Sequence, residues 1–350
     1  MSGHKFPYKW YLKDGYPAAG IESNGLKVFG TFICGGGSTM GYKLAGFEHL
    51  GGVEIDKKVS TVYQLNHNPK NLYTEDMRDF VKRTNLPEEL YKLDLLDGSP
   101  PCSSFSMAGN RETDWNKNKV FKEGQKHQKL DDLFFTFIEL AKKLQPKVIV
   151  AENVKGLISG NAKFYVSRIN KELVSAGYKV QLFLLNAASM GVPQKRERVF
   201  FICQRVDLGL PDLKLKFDEP RILFKKLIEK EFTECDLTVY QKKLWDNRIK
   251  KDKAFGDIIM RTEGRLSMFS NPIVSSDDVA NTLTSSAGVN AVYDFPRGMT
   301  RNEFCMVGSF PMDYDFNLIP SNWLIGMSVP PVMTAQIAHQ IYLQWFKNMA

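Results

Sequence analysis

Short apolar runs alternate with helix-like segments from about residue 26 to residue 206. One such segment, residues 131–144, repeats apolar side chains at helical spacing, and Pro146 ends it before the next predicted strand begins at Lys147. The order strand, helix, strand predicts a parallel sheet with helices on both faces, an α/β fold. The predicted strands are residues 28–34, 52–55, 93–96, 147–151, 180–185 and 199–203.

This alternation stops after about residue 211. Residues 217–293 mix charge runs with polar stretches and keep no helical period, which predicts a smaller, irregular and β-rich domain. Helical apolar spacing returns at residues 333–346. The sequence therefore predicts a first domain at residues 1–215, a second at 216–310, and a C-terminal segment at 311–350 that returns to the first.

Composition narrows the class of protein. The chain has 350 residues, 43% hydrophobic and 25% charged, as expected of a globular protein with a large core. Because it has no apolar run of eighteen residues and no apolar core of a signal peptide, we expect a cytoplasmic protein with no membrane partner. Its five cysteines are widely spaced and form no metal-binding pattern, so neither a disulfide framework nor a metal site is predicted. The net charge of +8 suits a polyanionic partner but does not identify one.

A glycine-rich turn follows the first predicted strand, at residues 32–41. Glycines let the backbone approach a ligand closely, but a tight strand-to-helix turn that binds no ligand would have the same sequence pattern. The next strand ends beside Glu54, where an acid can hold the hydroxyls of a ribose, and Asp76 follows at a third edge, where it could accept from an adenine amino group. The diphosphate fingerprint GxGxxG is missing, which favours a nucleoside cofactor without a pyrophosphate.

Cys102 follows an apolar run that ends in Pro100 and Pro101. Prolines cannot continue a β-ladder, so the chain leaves the sheet there and places the thiol beyond the carboxyl end of a strand. Ligands bind at that edge in open α/β sheets. Taken alone, the same cysteine could equally be a small apolar residue.

Two further segments carry candidate chemistry. Glu152 ends a strongly apolar run, where burial would raise its pKa and suit a proton donor or a hydrogen bond to a ring nitrogen. The alternative is an acid at a helix N-terminus. Arg196 and Arg198 are predicted on one face of a starting strand, where two guanidiniums can hold a phosphate or a carbonyl oxygen. As an edge-strand charge run they would be ordinary surface.

Together these segments resemble the cytosine-5 DNA methyltransferases, of the compact prokaryotic or phage type, from about Phe32 to the end of the chain. The blocks that carry the resemblance are the glycine loop, Pro100-Pro101-Cys102 with Phe105-Ser106, Glu152-Asn153-Val154, Gln194-Lys195-Arg196-Glu197-Arg198, Thr282-Leu283-Thr284, residues 300–311 with Glu303 and Phe310, and Gly326-Met327-Ser328-Val329-Pro330. The proline-cysteine and Gln-x-Arg-x-Arg blocks, in this order, are highly specific.

The resemblance implies a Rossmann-like methyltransferase fold that uses S-adenosylmethionine and releases S-adenosylhomocysteine. Cys102 would add to carbon 6 of a cytosine rotated out of the duplex, because carbon 5 alone is a poor nucleophile. Glu152 would hold or protonate ring nitrogen 3, while Arg196 and Arg198 would position the base and its phosphate. By the same resemblance, residues 1–215 form the catalytic domain and residues 216–310 the target-recognition domain with its hinge.

The resemblance also implies two sets of contacts. Residues 103–129 are similar to a mobile active-site loop that closes over DNA; a disordered insertion is the alternative. The cofactor contacts implied are Phe32, Gly35, Gly36, Gly37, Glu54, Asp76, Pro101, Leu133 and Ser328. The DNA contacts implied are Ser103, Ser104, Arg111, Thr282 and Leu283.

Some positions depart from the family pattern. Cys34 stands at the usual first glycine of the loop, Leu324 at a usual Gln, Met327 at a usual Asn, and Met306 at a usual Arg. None of these removes a reacting group. We expect a monomer that acts on double-stranded DNA, and the chain leaves open whether a cognate restriction endonuclease accompanies it. There are two alternatives: a tRNA cytosine-5 methyltransferase, and a catalytically silent DNA-binding regulatory relative. Retention of Cys102 and Glu152 argues against the silent relative.

Overall fold

The computed structural model describes residues 3–16, 20–101, 133–159, 163–231, 237–267, 271–285, 288–347 and 349. Within these ranges the chain divides into two compact units. The sheet unit consists of Tyr16–Asn186, Glu197–Lys216 and Thr334–Ala350. The second unit consists of Met1–Gly15, Ala187–Arg196 and Phe217–Met333.

Strands and helices are numbered in chain order over this described part of the protein. The strands are β1 (Lys27–Thr31), β2 (Glu48–Glu54), β3 (Asn71–Thr74), β4 (Leu95–Gly98), β5 (Val148–Val154), β6 (Tyr178–Asn186), β7 (Gln194–Lys195), β8 (Glu197–Arg205), β9 (Ile273–Val274), β10 (Ala280–Asn281) and β11 (Ala291–Val292). The helices are α1 (Gly37–Leu44), α2 (Lys57–His67), α3 (Met77–Phe80), α4 (Leu133–Leu144), α5 (Lys163–Ser175), α6 (Val239–Asp246), α7 (Phe255–Glu263), α8 (Arg301–Gly308), α9 (Ser321–Met327) and α10 (Pro331–Ile341).

Counted over the described residues, seven strands form the central sheet of the sheet unit, in the order β3-β2-β1-β4-β5-β8-β6. The pairs β1–β2, β1–β4, β2–β3 and β4–β5 are parallel, while β8 runs antiparallel to both β5 and β6. The predicted α/β fold with a mostly parallel sheet is confirmed. Because the chain proceeds outward from β1 first to β2 and β3 and later to β4 and β5, strand order reverses between β1 and β4. Open α/β sheets bind ligands outside the carboxyl ends of strands at such a point.

The predicted helix after residue 131 is present as α4, whose apolar side chains pack into the main core of the sheet unit. Phe134, Phe137 and Ala141 are fully buried there, with Leu96 of β4 and Phe201 of β8 in the same cluster. The apolar side chains of α4 recur about every 3.6 residues and so form one face of the helix, which packs against the buried strands of the sheet. The short strand β3 was not predicted, because Asn71–Thr74 lies near the sheet edge and carries no apolar run.

The second unit differs from the predicted β-rich domain. In its described residues the strands β9, β10 and β11 are two residues long, whereas α6 and α7 have eight and nine residues. A capping box begins α6: Thr238 accepts from the backbone N–H of Gln241, and the Gln241 side chain accepts from that of Thr238. The two helices share a small core with β9 and β11. Local capping and this core stabilise helices that the interrupted apolar spacing did not reveal.

The predicted C-terminal helix is present as α10, followed by a π-helical turn at Tyr342–Phe346. Along the chain, α10 begins in the second unit and continues in the sheet unit. Among the residues that the structure describes, none of the helices combines the length and apolarity needed to cross a membrane.

Candidate active site

The predicted glycine loop connects β1 to α1. Strand β1 ends at Thr31, three residues earlier than predicted, and α1 begins at Gly37. Gly36 has a left-handed φ of 72°, and an ideal Cβ there would lie 2.2 Å from Nε2 of His67 at the end of α2. Burial lowers the pKa of His67 to about 3, and the charge of Lys43 adds to the effect, so the ring is neutral at pH 7. A side chain at Gly36 is therefore excluded, because the His67 ring packs directly against this turn of the loop.

Two non-glycine residues of the loop also have left-handed backbones. Phe32 has a φ of 54° and Cys34 a φ of 46°. Such conformations cost about 1 to 3 kcal/mol each and persist where the surrounding structure enforces them, often at ligand sites. The family's usual glycine at the Cys34 position adopts this conformation without strain. Cys34 therefore holds this conformation at an energetic cost that glycine would avoid.

Glu54 is joined directly to the glycine loop. Its Oε2 accepts from the backbone N–H of Cys34 at 2.9 Å, and its Oε1 accepts from that of Asp56 at 2.9 Å. Burial raises the pKa of the Glu54 carboxyl above its ordinary value, and these hydrogen bonds oppose the rise. Glu54 ends β2, the strand beside β1, so the structure brings together two groups that the sequence assigned to one cofactor.

Asp76 lies just beyond β3 and begins α3 as its N-cap. One carboxylate oxygen accepts from the backbone N–H of Arg78 at 2.8 Å, and the other pairs with the Arg78 guanidinium at 3.1 Å. Asp76 therefore has a structural role in α3. Its predicted contact with an adenine would have to use the remaining acceptor capacity of these oxygens.

Glu152 and Arg198 meet across β5 and β8. Arg198 Nε lies 2.8 Å from Glu152 Oε1, and the two side chains are 14% and 12% exposed. The antiparallel register pairs Val154 with Arg198 and Glu152 with Phe200, so the ion pair is a diagonal contact. The next residue, Asn153, is buried and donates to the carbonyl oxygen of Pro100 at 3.1 Å. This hydrogen bond fixes the backbone two residues before Cys102 and was not anticipated from the sequence.

The predicted nucleophile Cys102 and the predicted DNA contacts Ser103, Ser104 and Arg111 lie outside the described residues, as does the loop at residues 103–129. Their proposed roles rest on the sequence. Pro101, the last described residue before this gap, is half-buried.

The prediction that Arg196 and Arg198 share one face of a strand is wrong in its premise. Arg196 lies between β7 and β8, because β7 pairs with β10 of the second unit whereas β8 pairs with β5. The buried guanidinium of Arg196 donates to the carbonyl oxygens of Leu283 at 2.9 Å and Gly326 at 3.0 Å. Strand alternation therefore does not relate the two arginines.

Thr282 and Leu283, predicted to contact DNA, take part in this same network of the second unit. The Thr282 hydroxyl donates to the carbonyl oxygen of Lys195, and the Leu283 backbone N–H donates to Gln194 Oε1 at 3.0 Å. A Cβ at Gly326 would lie 2.4 Å from the carbonyl carbon of Thr284, so this residue must be glycine. Three blocks that are far apart in sequence thus meet within one unit.

Of the other predicted cofactor residues, Leu133 is 6% exposed and belongs to the main core, and Ser328 donates to the carbonyl oxygen of Leu324 at 2.8 Å. Two of the family departures, Leu324 and Met306, are buried, whereas Met327 is 51% exposed. Across the described ranges, no group of three or more His, Cys, Asp or Glu side chains could hold a metal ion.

Comparisons with known proteins agree with this geometry. The family model described as C-5 cytosine-specific DNA methylase matches residues 26–343. The chain is 37% identical over 193 residues to the type II methyltransferase M.FnuDI of Fusobacterium nucleatum, covering 55% of this chain and 51% of that protein. It is 28% identical over 351 residues to the type II methyltransferase M.NgoPII of Neisseria gonorrhoeae, covering 91% of this chain and 96% of that protein.

Solved structures show the same fold at low sequence identity. A DNA modification methyltransferase from an E. coli prophage superposes with a TM-score of 0.66 at 20% identity, over 91% of this chain and 99% of that one. A Spodoptera frugiperda DNMT2 mutant superposes with a TM-score of 0.62 at 17% identity, over 91% of this chain and 99% of that one. Because the family model spans most of the sequence, the chain belongs to the C-5 cytosine-specific DNA methylase family.

Proposed function

We propose that the protein transfers the methyl group of S-adenosylmethionine to carbon 5 of a cytosine in double-stranded DNA. The observation that carries the proposal is the grouping at one edge of the central sheet. The glycine loop follows β1, Glu54 ends β2, and Glu152 lies in the last residues of β5 with Arg198 beside it. This is the edge at which an open α/β sheet binds its ligands.

The residues at the β1 and β2 ends fit a nucleoside cofactor. Gly36 lets the loop turn tightly beside His67. The Glu54 carboxylate keeps acceptor capacity for a ribose hydroxyl beyond its backbone hydrogen bonds from Cys34, Ile55 and Asp56. When bound, S-adenosylmethionine supplies an electrophilic methyl group and is released as S-adenosylhomocysteine. Phe32, Gly35 and Gly37 are proposed to line the same site.

We propose that Cys102 and Glu152 act directly on the cytosine. The Cys102 thiolate adds to carbon 6, and the electron pair of the 5,6 double bond becomes available at carbon 5 for the methyl group. Glu152 in its protonated form donates its proton to ring nitrogen 3 and stabilises the negative charge that develops there as Cys102 adds. Loss of the proton from carbon 5 then restores the double bond and releases the Cys102 thiolate. These atoms lie within the base stack, so the cytosine must rotate out of the duplex.

The two arginines are proposed to have different tasks. Arg198 orients Glu152 through their 2.8 Å contact and brings a positive charge near the reacting base. Arg196 already donates to two carbonyl oxygens of the second unit, which supports a role in holding the Leu283 and Gly326 backbones rather than a direct grip on the substrate. Substitution of Arg196 should therefore lower stability as well as activity.

The turn at residues 248–253 of the second unit supports a polyanionic substrate. It exposes Lys250, Lys251 and Lys253, whereas Asp252 is buried and accepts from the backbone of Ile249 at 2.8 Å and from Arg261 at 2.7 Å. The acid thus stabilises the turn, and the lysines face solvent. We propose that they contact DNA phosphates, which position a duplex without reading its sequence.

A transfer assay tests the activity and its substrate together. The protein is incubated with labelled S-adenosylmethionine and either duplex DNA of mixed sequence or total tRNA. We expect label in DNA with the wild type and none with Cys102→Ala. Cys305→Ala, which alters a buried thiol of α8, is the matched control and should remain active. Label in tRNA alone would contradict the DNA substrate, and absence of label from both would favour a catalytically silent protein.

A trapping experiment tests the covalent step separately. DNA that contains 5-fluorocytosine carries fluorine in place of the proton lost from carbon 5, so a covalent adduct cannot resolve. The wild type and Cys305→Ala should give a protein–DNA complex that survives denaturation, and Cys102→Ala should give none. A denaturation-resistant complex with Cys102→Ala would refute the assignment of the nucleophile.

A further inference from the structure

Asp97 is a buried carboxyl group that the proposed reaction does not use. It lies near the end of β4, pairs in register with Gly30 of β1 and Val150 of β5, and is 5% exposed. Burial raises its pKa to about 7, hydrogen bonds from Tyr42 and Ser38 oppose the rise, and the charge of Glu152 adds to it. A buried acid is costly unless its partners compensate for the lost water, so its position calls for a physical reason.

The partners of the Asp97 carboxyl both belong to α1. The Tyr42 hydroxyl donates to Asp97 Oδ1 at 3.0 Å, and the Ser38 side chain is also hydrogen-bonded to the carboxyl. Residues four apart lie on the same face of a helix, so Ser38 and Tyr42 present two adjacent donors to one acid. Since α1 begins at Gly37, these contacts fix the helix immediately after the glycine loop.

The backbone of Asp97 holds the other end of the same loop. The Thr31 hydroxyl, on the last residue of β1, donates to the Asp97 carbonyl oxygen at 3.2 Å. One residue of β4 therefore contacts the chain both before and after loop residues 32–36. The loop itself contains two strained backbones, at Phe32 and Cys34, so it needs external contacts to keep its shape.

A second polar contact on α1 limits how far the helix can move. The Thr39 hydroxyl lies 3.0 Å from the Tyr63 hydroxyl of α2 and 3.3 Å from His49 Nε2 of β2. Burial keeps the pKa of His49 well below its ordinary value, and nearby Lys43 and His67 act in the same direction. The helix is thus held by neutral groups on one side and by the Asp97 carboxyl on another.

We infer that Asp97 is a positioning residue for S-adenosylmethionine, which clamps both ends of the glycine loop through its carboxyl and its carbonyl oxygen. This inference rests on the proposed function. Asp97 need not touch the cofactor. Without these contacts, α1 and the loop can shift. The loop must then be ordered when S-adenosylmethionine binds, and this cost lowers the affinity for the cofactor.

The test separates cofactor binding from stability. The dissociation constants for S-adenosylmethionine and for duplex DNA are measured by calorimetry with the wild type, Tyr42→Phe, Asp97→Asn and the double variant. We expect about tenfold weaker cofactor binding for Tyr42→Phe, the least disruptive change, with DNA affinity within about twofold of the wild type. The double variant should bind about as well as the weaker single variant, because both changes weaken the same Tyr42–Asp97 hydrogen bond.

Asp94→Asn is the matched control. Asp94 is another buried acid beside β4, but it accepts from the backbone N–H of Lys27 and from the Lys147 ammonium, both at 2.8 Å, and not from α1. Its substitution should lower the melting temperature and leave cofactor affinity unchanged. If the Asp97 variant does not fold, Tyr42→Phe alone decides the matter.

The outcomes distinguish the clamp from the function on which it rests. Wild-type cofactor affinity in folded Tyr42→Phe would overturn the clamp while leaving the methyltransferase proposal intact. Equal loss of affinity in Asp94→Asn would also overturn it, because the effect would then follow stability. A wild-type protein that binds no S-adenosylmethionine would overturn both proposals.

Discussion

The protein contains two glutamate–arginine pairs that differ in their surroundings. In the second unit, Arg297 and Glu303 are both 0% exposed and form contacts of 2.7 and 2.8 Å. The guanidinium also donates to the carbonyl oxygens of Gly298 and Glu229, and the carboxylate accepts from the backbone of Thr300 and of Glu229. This pair joins four backbone groups around the start of α8.

The pair in the sheet unit is less enclosed. Glu152 and Arg198 share one 2.8 Å contact and retain 12% and 14% exposure. A carboxylate with a single close partner and access to solvent can exchange a water molecule for a substrate, whereas one bonded on all sides cannot. Full compensation of charge thus marks a group that stabilises the fold, and partial compensation marks a group available for chemistry. Asp97 is also incompletely compensated, because burial still raises its pKa, but its partners hold it in a positioning role.

The strongest test of this comparison removes Glu303. Glu303→Ala leaves the Arg297 guanidinium fully buried without its counter-charge and deprives two backbone N–H groups of their acceptor. We expect a loss of about 3 to 5 kcal/mol in the free energy of unfolding, measured with chemical denaturant. Asp246→Ala, which breaks the exposed Lys242–Asp246 pair of α6, should cost less than about 1 kcal/mol. Equal losses from the two variants would contradict the comparison.

Glu152→Gln should instead lower activity much more than it lowers stability. The amide preserves shape and loses the charge, so we expect methyl transfer to fall by about a hundredfold to ten-thousandfold. The loss of stability should be smaller than that of Glu303→Ala, because the amide oxygen can still accept from Arg198. Single-turnover rates under saturating substrate measure the effect. Glu197→Gln, which alters an exposed pair between Glu197 of β8 and Lys155 just after β5, is the control and should keep its rate. Near-normal transfer by Glu152→Gln would remove it from the proposed mechanism.

The dependence of stability on pH tests whether the hydrogen bonds to Asp97 compensate incompletely for its burial. Because burial raises its pKa to about 7 in the folded protein, above its ordinary value, the folded state binds the proton more tightly than the unfolded state. The stabilising effect is therefore complete at about pH 4 and is lost as the pH rises through 7. Asp97→Asn should lack this change, so its stability relative to the wild type should increase by up to about 4 kcal/mol between pH 4 and pH 8. If the wild type and Asp97→Asn showed the same dependence of stability on pH, the raised pKa would not belong to Asp97.

The sequence predicted the parts of the fold that depend on local pattern. Apolar runs identified most strands of the sheet, and the glycine loop and Glu54 are indeed in contact, because neighbouring parallel strands end at one edge. Helix α6 was missed, although the spacing of Thr238 and Gln241 is that of a capping box and could have identified its start.

Other features depend on contacts between distant residues. Nothing near Arg196 in the sequence indicates that its guanidinium binds the carbonyl oxygens of Leu283 and Gly326. Likewise, Asp97 and Tyr42 are 55 residues apart, and nothing in the sequence indicates that their side chains meet. Pattern and spacing along the chain identify chemical groups, but the side chains that position those groups are selected by tertiary packing.

The smallest expected effect is at Cys34, where the test concerns backbone strain and not charge. Its φ of 46° lies in the left-handed region, where glycine is unstrained, and the family usually has glycine here. Cys34→Gly should relieve strain but increase the entropy of the unfolded chain, for a net gain of about 0.5 to 1 kcal/mol in unfolding free energy. Cys34→Ala keeps the Cβ, so it should give no such gain; a Cys34→Gly variant that is less stable than Cys34→Ala would show that the loop holds no strain at this residue. If the strain is present and the Asp97 clamp maintains it, the gain should shrink in the Tyr42→Phe background, because a released loop can relax without glycine.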